Sequence, residues 1–102
     1  MLVFAFSTYP NRISARKIGR LVVEKRLAGC VLTIPVGSMY RWRGKVEDTN
    51  EVLAAFKTTK RRVKKLMEFI EGHHPYRVPF VAAMPLKDVN KKYQRWLEKE
   101  LG

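Results

Sequence analysis

Two imidazoles stand side by side in the stretch Gly72-His73-His74-Pro75-Tyr76, and they are the only histidines in the chain. Neutral imidazole nitrogens suit copper and zinc, so the pair is the first candidate for chemistry. Metal sites in folded proteins generally take three or four ligands, and adjacent residues do not easily aim both rings at one ion. The single cysteine, Cys30, lies far away in the sequence. The alternative is structural. His73 would then cap the last carbonyls of a helix, His74-Pro75 would open an extended turn, and Tyr76 would pack its ring and hydrogen-bond its hydroxyl.

A second constellation is cationic. Lys57, Thr58 and Lys60 run into Arg61 and Arg62 at the start of a helical pattern. Cations in a first helical turn oppose the macrodipole unless an anion sits near. A helix N-terminus with basic neighbours is a fair site for phosphate or carboxylate. The competing reading is a surface ion network with Glu47, Asp48 and Glu51.

A third group is aromatic. Tyr40 and Trp42 alternate with arginine in YRWR, an arrangement suited to stacking bases or to forming a subunit interface. An RNA-recognition module would need an aromatic-rich motif on its third strand. The third strand here reads EVLAAFKTT, so base reading is not supported. No Gly-x-Ser-x-Gly, phosphate-binding glycine loop or paired carboxylates occur, and Ser7 and Thr8 have no local base. Nothing in the sequence demands an enzyme.

The elements that must position these residues fit one domain, 1–102, with 46% apolar residues and a formal charge of +12. Such a charge draws anions, with non-specific nucleic-acid binding as one outcome, or is simply a solvated surface. The apolar runs are too short for a bilayer, the N-terminus reads as a strand and not a signal peptide, and one cysteine suits a cytoplasmic home.

Residues 2–9 read as a buried strand. Residues 12–27 read as a helix, capped by Asn11 or Ser14, with Ala15, Ile18, Leu21 and Val22 on one face. Residues 28–44 and 45–59 read as two long strands joined at Gly44-Lys45, with a bulge or edge position expected at Pro35 and Gly37. Residues 60–72 read as a helix between Thr59 and Gly72, with Val63, Leu66, Met67 and Ile70 at helical spacing. Residues 78–86 read as a strand. Asn90 then caps a last helix carrying Tyr93, Trp96 and Leu97.

The order is α+β: a ferredoxin-like βαββαβ with an extended β2–β3 hairpin and an extra C-terminal helix. Its two crossover helices cover one sheet face, which leaves the other for a partner. The hairpin is also longer than the domain's own sheet requires, and its edge should pair with another chain.

Taken together, AGCVLTIPVGSMYRWRGK, EVLAAFKTT, HHPYRVP and NKKYQRWL resemble, in order and spacing, the conserved stretches of the CutA divalent-cation tolerance family over residues 2–98. The resemblance implies a homotrimer similar to the PII signalling proteins and a role in tolerance of copper and other divalent cations. Signature positions carried over are Ser38, Tyr40, Trp42, Gly44, Lys45, Lys57, Thr58, His74, Pro75, Tyr76 and Trp96. In some members a copper site is proposed from the two histidines and a cysteine late in the first strand. That cysteine position holds Ser7 here, and a hydroxyl is a poor ligand for Cu(I).

No cofactor is therefore required, and any copper or zinc at His73 and His74 should be held weakly. The leading expectation is a non-enzymatic homotrimer that binds divalent metal weakly, or a small anion, in its inter-subunit clefts. The alternative is a PII-like signalling or scaffold protein that binds a phosphate-bearing metabolite or a partner protein.

Overall fold

Strict alternation along the first strand sets the two sides of the molecule. The elements are β1(Leu2–Tyr9), α1(Arg12–Glu24), β2(Cys30–Trp42), β3(Lys45–Thr59), α2(Val63–His73), β4(Val81–Pro85) and α3(Lys91–Leu101), in a computed structural model that describes residues 1–102. Ala5, Ser7 and Tyr9 are fully buried beneath α1 and α2, and Phe4, Phe6 and Thr8 point the other way. The four strands form one antiparallel sheet in the order β2-β3-β1-β4. This is the expected ferredoxin-like arrangement with one added helix.

Asn11 caps α1 as its sequence suggests: Oδ1 accepts from the Ser14 backbone N–H at 2.8 Å. The helix stops at Glu24 and not at residue 27, because the chain turns through Arg26 in the left-handed region, φ 57°. The strand expected over 78–86 shrinks to Val81–Pro85. Asn90 occupies the N-cap of α3, but its backbone oxygen accepts from the Gln94 N–H and its side chain caps nothing.

The start of α2 differs most from expectation. It begins at Val63, and Lys60–Arg62 form a turn. Thr59, expected to border the helix directly, is the last residue of β3. The Arg61 and Arg62 side chains donate to the backbone oxygens of Gly102 and Leu101, at the C-terminal end of α3. There the helix dipole favours a cation. The ion network with Glu47, Asp48 and Glu51 does not form; the only ion pairs are Met1–Glu98 and Arg20–Glu24.

The hairpin register runs unbroken from Cys30↔Lys57 to Trp42↔Lys45. Pro35 and Gly37 therefore make no bulge. Their edge position suffices, since β2 is the outermost strand and half of its N–H groups face no partner. Arg43 at φ 49° and Gly44 at φ 80° form a two-residue turn of the type whose twist matches the strands. Cys30 is the first residue of β2, and its thiol is free and half-buried.

Pairing with β1 ends at Tyr9↔Val52. Beyond that point β2 and β3 leave the sheet as a two-stranded ribbon, and the molecule measures 45 × 25 × 20 Å.

The main core lies between the sheet and α1 and α2, around Tyr9, Val22, Phe56, Leu66 and Ile70. On the opposite face α3 covers one end only, through Leu97 and Leu101 against Leu2. Gly29 permits this approach, since a Cβ there would lie 2.1 Å from Leu97 Cδ1. The remainder of that face is open. Leu32 is 43% exposed, Ile34 47% and Met84 51%.

Candidate functional site

Where the ribbon leaves the sheet, the open face folds into a cleft of about 450 Å³. Period-two alternation puts Ser38, Tyr40 and Trp42 of β2 on the cleft side. The unbroken register carries Glu51 of β3 to the same side, opposite Val36. Thr8 closes the floor from β1. Tyr76, Arg77, Val78 and Phe80 come from the loop after α2.

His74 anchors that loop. Its Nδ1 lies 3.0 Å from the Tyr76 N–H and accepts from it, so the ring proton sits on Nε2, which donates to the Thr8 carbonyl at 2.8 Å. The ring stacks on Tyr9 with centroids 4.5 Å apart. Burial lowers its pKa from 6.5, against the opposing pull of the Thr8 carbonyl and the Glu51 carboxylate.

Tyr76 then donates its hydroxyl to Glu51 Oε2 at 2.5 Å. Burial first, and then this bond and the Glu51 charge, push the Tyr76 phenol well above its ordinary value, so it stays protonated and remains a donor.

His73 behaves differently. It ends α2, its ring stacks on Phe69 at 4.0 Å, and its Nδ1 meets the Phe69 carbonyl at 2.9 Å. Nε2 is then the unprotonated nitrogen, on an exposed side chain. Both histidines thus fill the structural roles open to them in the sequence, and only His73 keeps a ring nitrogen for a ligand. Ser7 is fully buried and donates to the Phe80 carbonyl at 2.8 Å. No three side chains of the His, Cys, Asp and Glu types gather into a metal cluster.

The basic set does not converge. Lys57 lies on the α3 side of the sheet, its Nζ 4.8 Å from the centre of the Tyr93 ring. Thr58 is fully buried and donates to the Leu27 carbonyl at 2.7 Å on the other side. Lys60 lines a separate hollow with Arg61 and Glu98.

Of the signature positions, Ser38, Tyr40, Trp42 and Tyr76 meet in the cleft. Gly44 and Lys45 sit at the ribbon tip, Pro75 lies in the exposed loop, and Trp96 stands apart on α3 against Tyr93 at 5.4 Å.

Sequence reasoning passed over Arg77 and Phe80 altogether, and it read Glu51 only as a partner in a surface ion network and Thr8 only as a hydroxyl without a base. For Glu51 a signal existed. A two-residue turn at Arg43-Gly44 fixes the hairpin register, and counting back along it puts Glu51 on the Tyr40 side. No such count reaches a loop, so Arg77 and Phe80 gave none.

Residues 3–100 match the family model described as CutA1 divalent ion tolerance protein. A Thermus thermophilus protein named divalent-cation tolerance protein CutA is 41% identical over 96 residues, 93% of each chain. Mouse Protein CutA is 47% identical over 94 residues, 91% of this chain and 53% of its own length. The chain spans about half the length of the mammalian relatives that it matches. Among solved structures, CutA from Xylella fastidiosa superposes with a TM-score of 0.95 at 35% identity, covering 99% of this chain and 98% of that one. A protein from Archaeoglobus fulgidus described as a periplasmic divalent cation tolerance protein superposes with a TM-score of 0.96 at 27% identity, covering 100% of each chain.

Proposed function

This chain belongs to the CutA1 divalent ion tolerance family, and from that premise we propose that it serves divalent-cation tolerance as a homotrimer, with no catalytic chemistry of its own. The observation that carries the assembly is the half-covered sheet. Leu32, Ile34 and Met84 lie exposed on one face of a strongly basic chain, beside a ribbon that outruns its own sheet. A two-stranded ribbon is marginal alone in water, and an open apolar face is a docking surface. Light scattering should give about three times the 11.9 kDa chain mass. A concentration-independent monomer rules the assembly out.

Metal contact in this reading is weak and passes through one ring. His73 offers Nε2 to solvent, whereas both nitrogens of His74 already hold the backbone. A lone imidazole, completed by water, suits Cu(II) or Zn(II) better than Cu(I), which favours thiolate. Calorimetric titration with Zn(II) and Cu(II) should show weak binding that His73→Ala removes and His74→Asn leaves in place. Binding that survives His73→Ala would place the metal elsewhere. No helix is long and apolar enough to cross a membrane. The single free thiol at Cys30 favours a reducing compartment such as the cytoplasm.

A further inference from the structure

The outer face of α1 is cationic in a way that works against the helix itself. Arg12, Arg16, Lys17 and Arg20 are all exposed, and Glu24 is the only carboxylate on the helix. At about 100° per residue the four cations fall within about 140° of the circumference, turned away from the buried Ala15, Ile18 and Val22. Arg12, Arg16 and Arg20 follow one another at four-residue intervals, and like charges so spaced weaken a helix. Arg12 also stands in the first turn, where the helix dipole opposes a cation and no acidic residue offsets it. The one ion pair of the helix, Arg20 with Glu24 at 3.2 Å, joins two exposed side chains, so water competes for it. A solvated face that steadied the helix would carry the reverse order of charge.

We propose that this face binds the phosphate backbone of nucleic acid without reading its sequence. The array fits a repeating anion. Its three arginines span about 12 Å of helix axis, a length that carries about four phosphates on one strand of a duplex. Arginine offers a planar fork to phosphate oxygens. A backbone laid along the stripe relieves both costs at once, the like-charge neighbours and the cation at the positive end of the helix.

Two other anionic surfaces fit less well. A membrane-surface helix sinks an apolar face into the lipid. The apolar face of α1 is buried in the core instead, and only Ile13 and Val23 remain outside. A protein interface has an apolar centre depleted of charge, which these two isolated side chains do not supply. The stripe also stays clear of the assembly surface, because α1 covers the side of the sheet opposite Leu32 and Ile34.

The test is fluorescence anisotropy of a short labelled DNA duplex, titrated with the assembled protein across a salt series. The parent should bind with an affinity that falls steeply as salt rises. Arg12→Gln with Arg16→Gln and Lys17→Gln should weaken binding at least about tenfold and flatten the salt dependence by about one unit per phosphate contact removed. Glutamine is a good helix former and removes both costs named above, so the fold should survive the change. The matched control is Lys91→Gln with Lys92→Gln and Lys99→Gln on α3, across the sheet. It removes the same charge and should weaken binding less than about threefold. The proposal is overturned by an equal loss in both variants or by no salt-dependent binding in the parent. Tighter binding to polyglutamate or to phosphatidylserine vesicles than to the duplex overturns it as well.

Discussion

His74→Ala should lower the unfolding free energy by about 2–3 kcal/mol, read as a shifted midpoint in a denaturant titration. The ring joins the loop after α2 to β1 through three contacts: the bond to Thr8, the bond from Tyr76 and the stack on Tyr9. Alanine leaves the Thr8 carbonyl and the Tyr76 N–H without partners in a half-buried place, and a buried polar group left unpaired costs about 1–3 kcal/mol. His74→Asn separates the parts. A short amide two residues before Tyr76 can accept its N–H as in an Asx turn, so asparagine should recover about half of the loss. The recovery would leave the missing stack and the Thr8 bond as the remainder.

The same ring gives the fold a pH dependence with a fixed sign. Burial holds the folded pKa of His74 below its ordinary 6.5. The unfolded chain therefore takes up this proton at a higher pH than the folded chain does. The contribution of the neutral ring is full above 6.5 and is lost as pH falls through the depressed folded value. Stability should drop in that window in the parent and stay flatter in His74→Asn. An equal drop in both would assign the pH response to other groups.

The parts of this design that were legible in the sequence obey local periodicities. The spacing of Leu66 and Ile70 in α2 marks side chains that enter the core, and both are fully buried, whereas β1 reads only as a buried strand, since nothing in its apolar run says that Ser7 goes inside and Phe4 and Phe6 stay half-buried. Asn11 before α1 was readable because a cap acts over three residues. The start of α2 was not legible, because the groups that hold Arg61 and Arg62 lie at Leu101 and Gly102, at the other end of the chain.

The cleft divides in the same way. Ser38, Tyr40 and Trp42 share a side by alternation, and Glu51 follows from the turn at Gly44. Arg77 and Phe80 arrive only because His74 ties their loop to Thr8, a bond that spans 66 positions. The basic residues misled for a related reason. Lys57 and Thr58 are neighbours in sequence and therefore point to opposite faces of the sheet.

Replacing Leu32 and Ile34 together by aspartate should abolish assembly, so that light scattering returns a single 11.9 kDa chain where the proposed trimer would give about three. Both side chains sit on the open face, 43% and 47% exposed, and the main core beneath the other face does not include them. Covering such side chains is worth roughly 1.5–3 kcal/mol each when burial is complete. A carboxylate in the same place forfeits that gain and must also be desolvated, at a further several kcal/mol when it finds no partner.

Repulsion offers no competing explanation, since two aspartates reduce the formal charge of +12 and make the copies repel less. The matched control is Ile13→Asp. Ile13 is 81% exposed on α1, on the other side of the sheet, so the same chemistry there should leave the mass unchanged. If Leu32→Asp with Ile34→Asp keeps the assembled mass, the copies meet through another surface. The open face of the sheet would then require a different occupant.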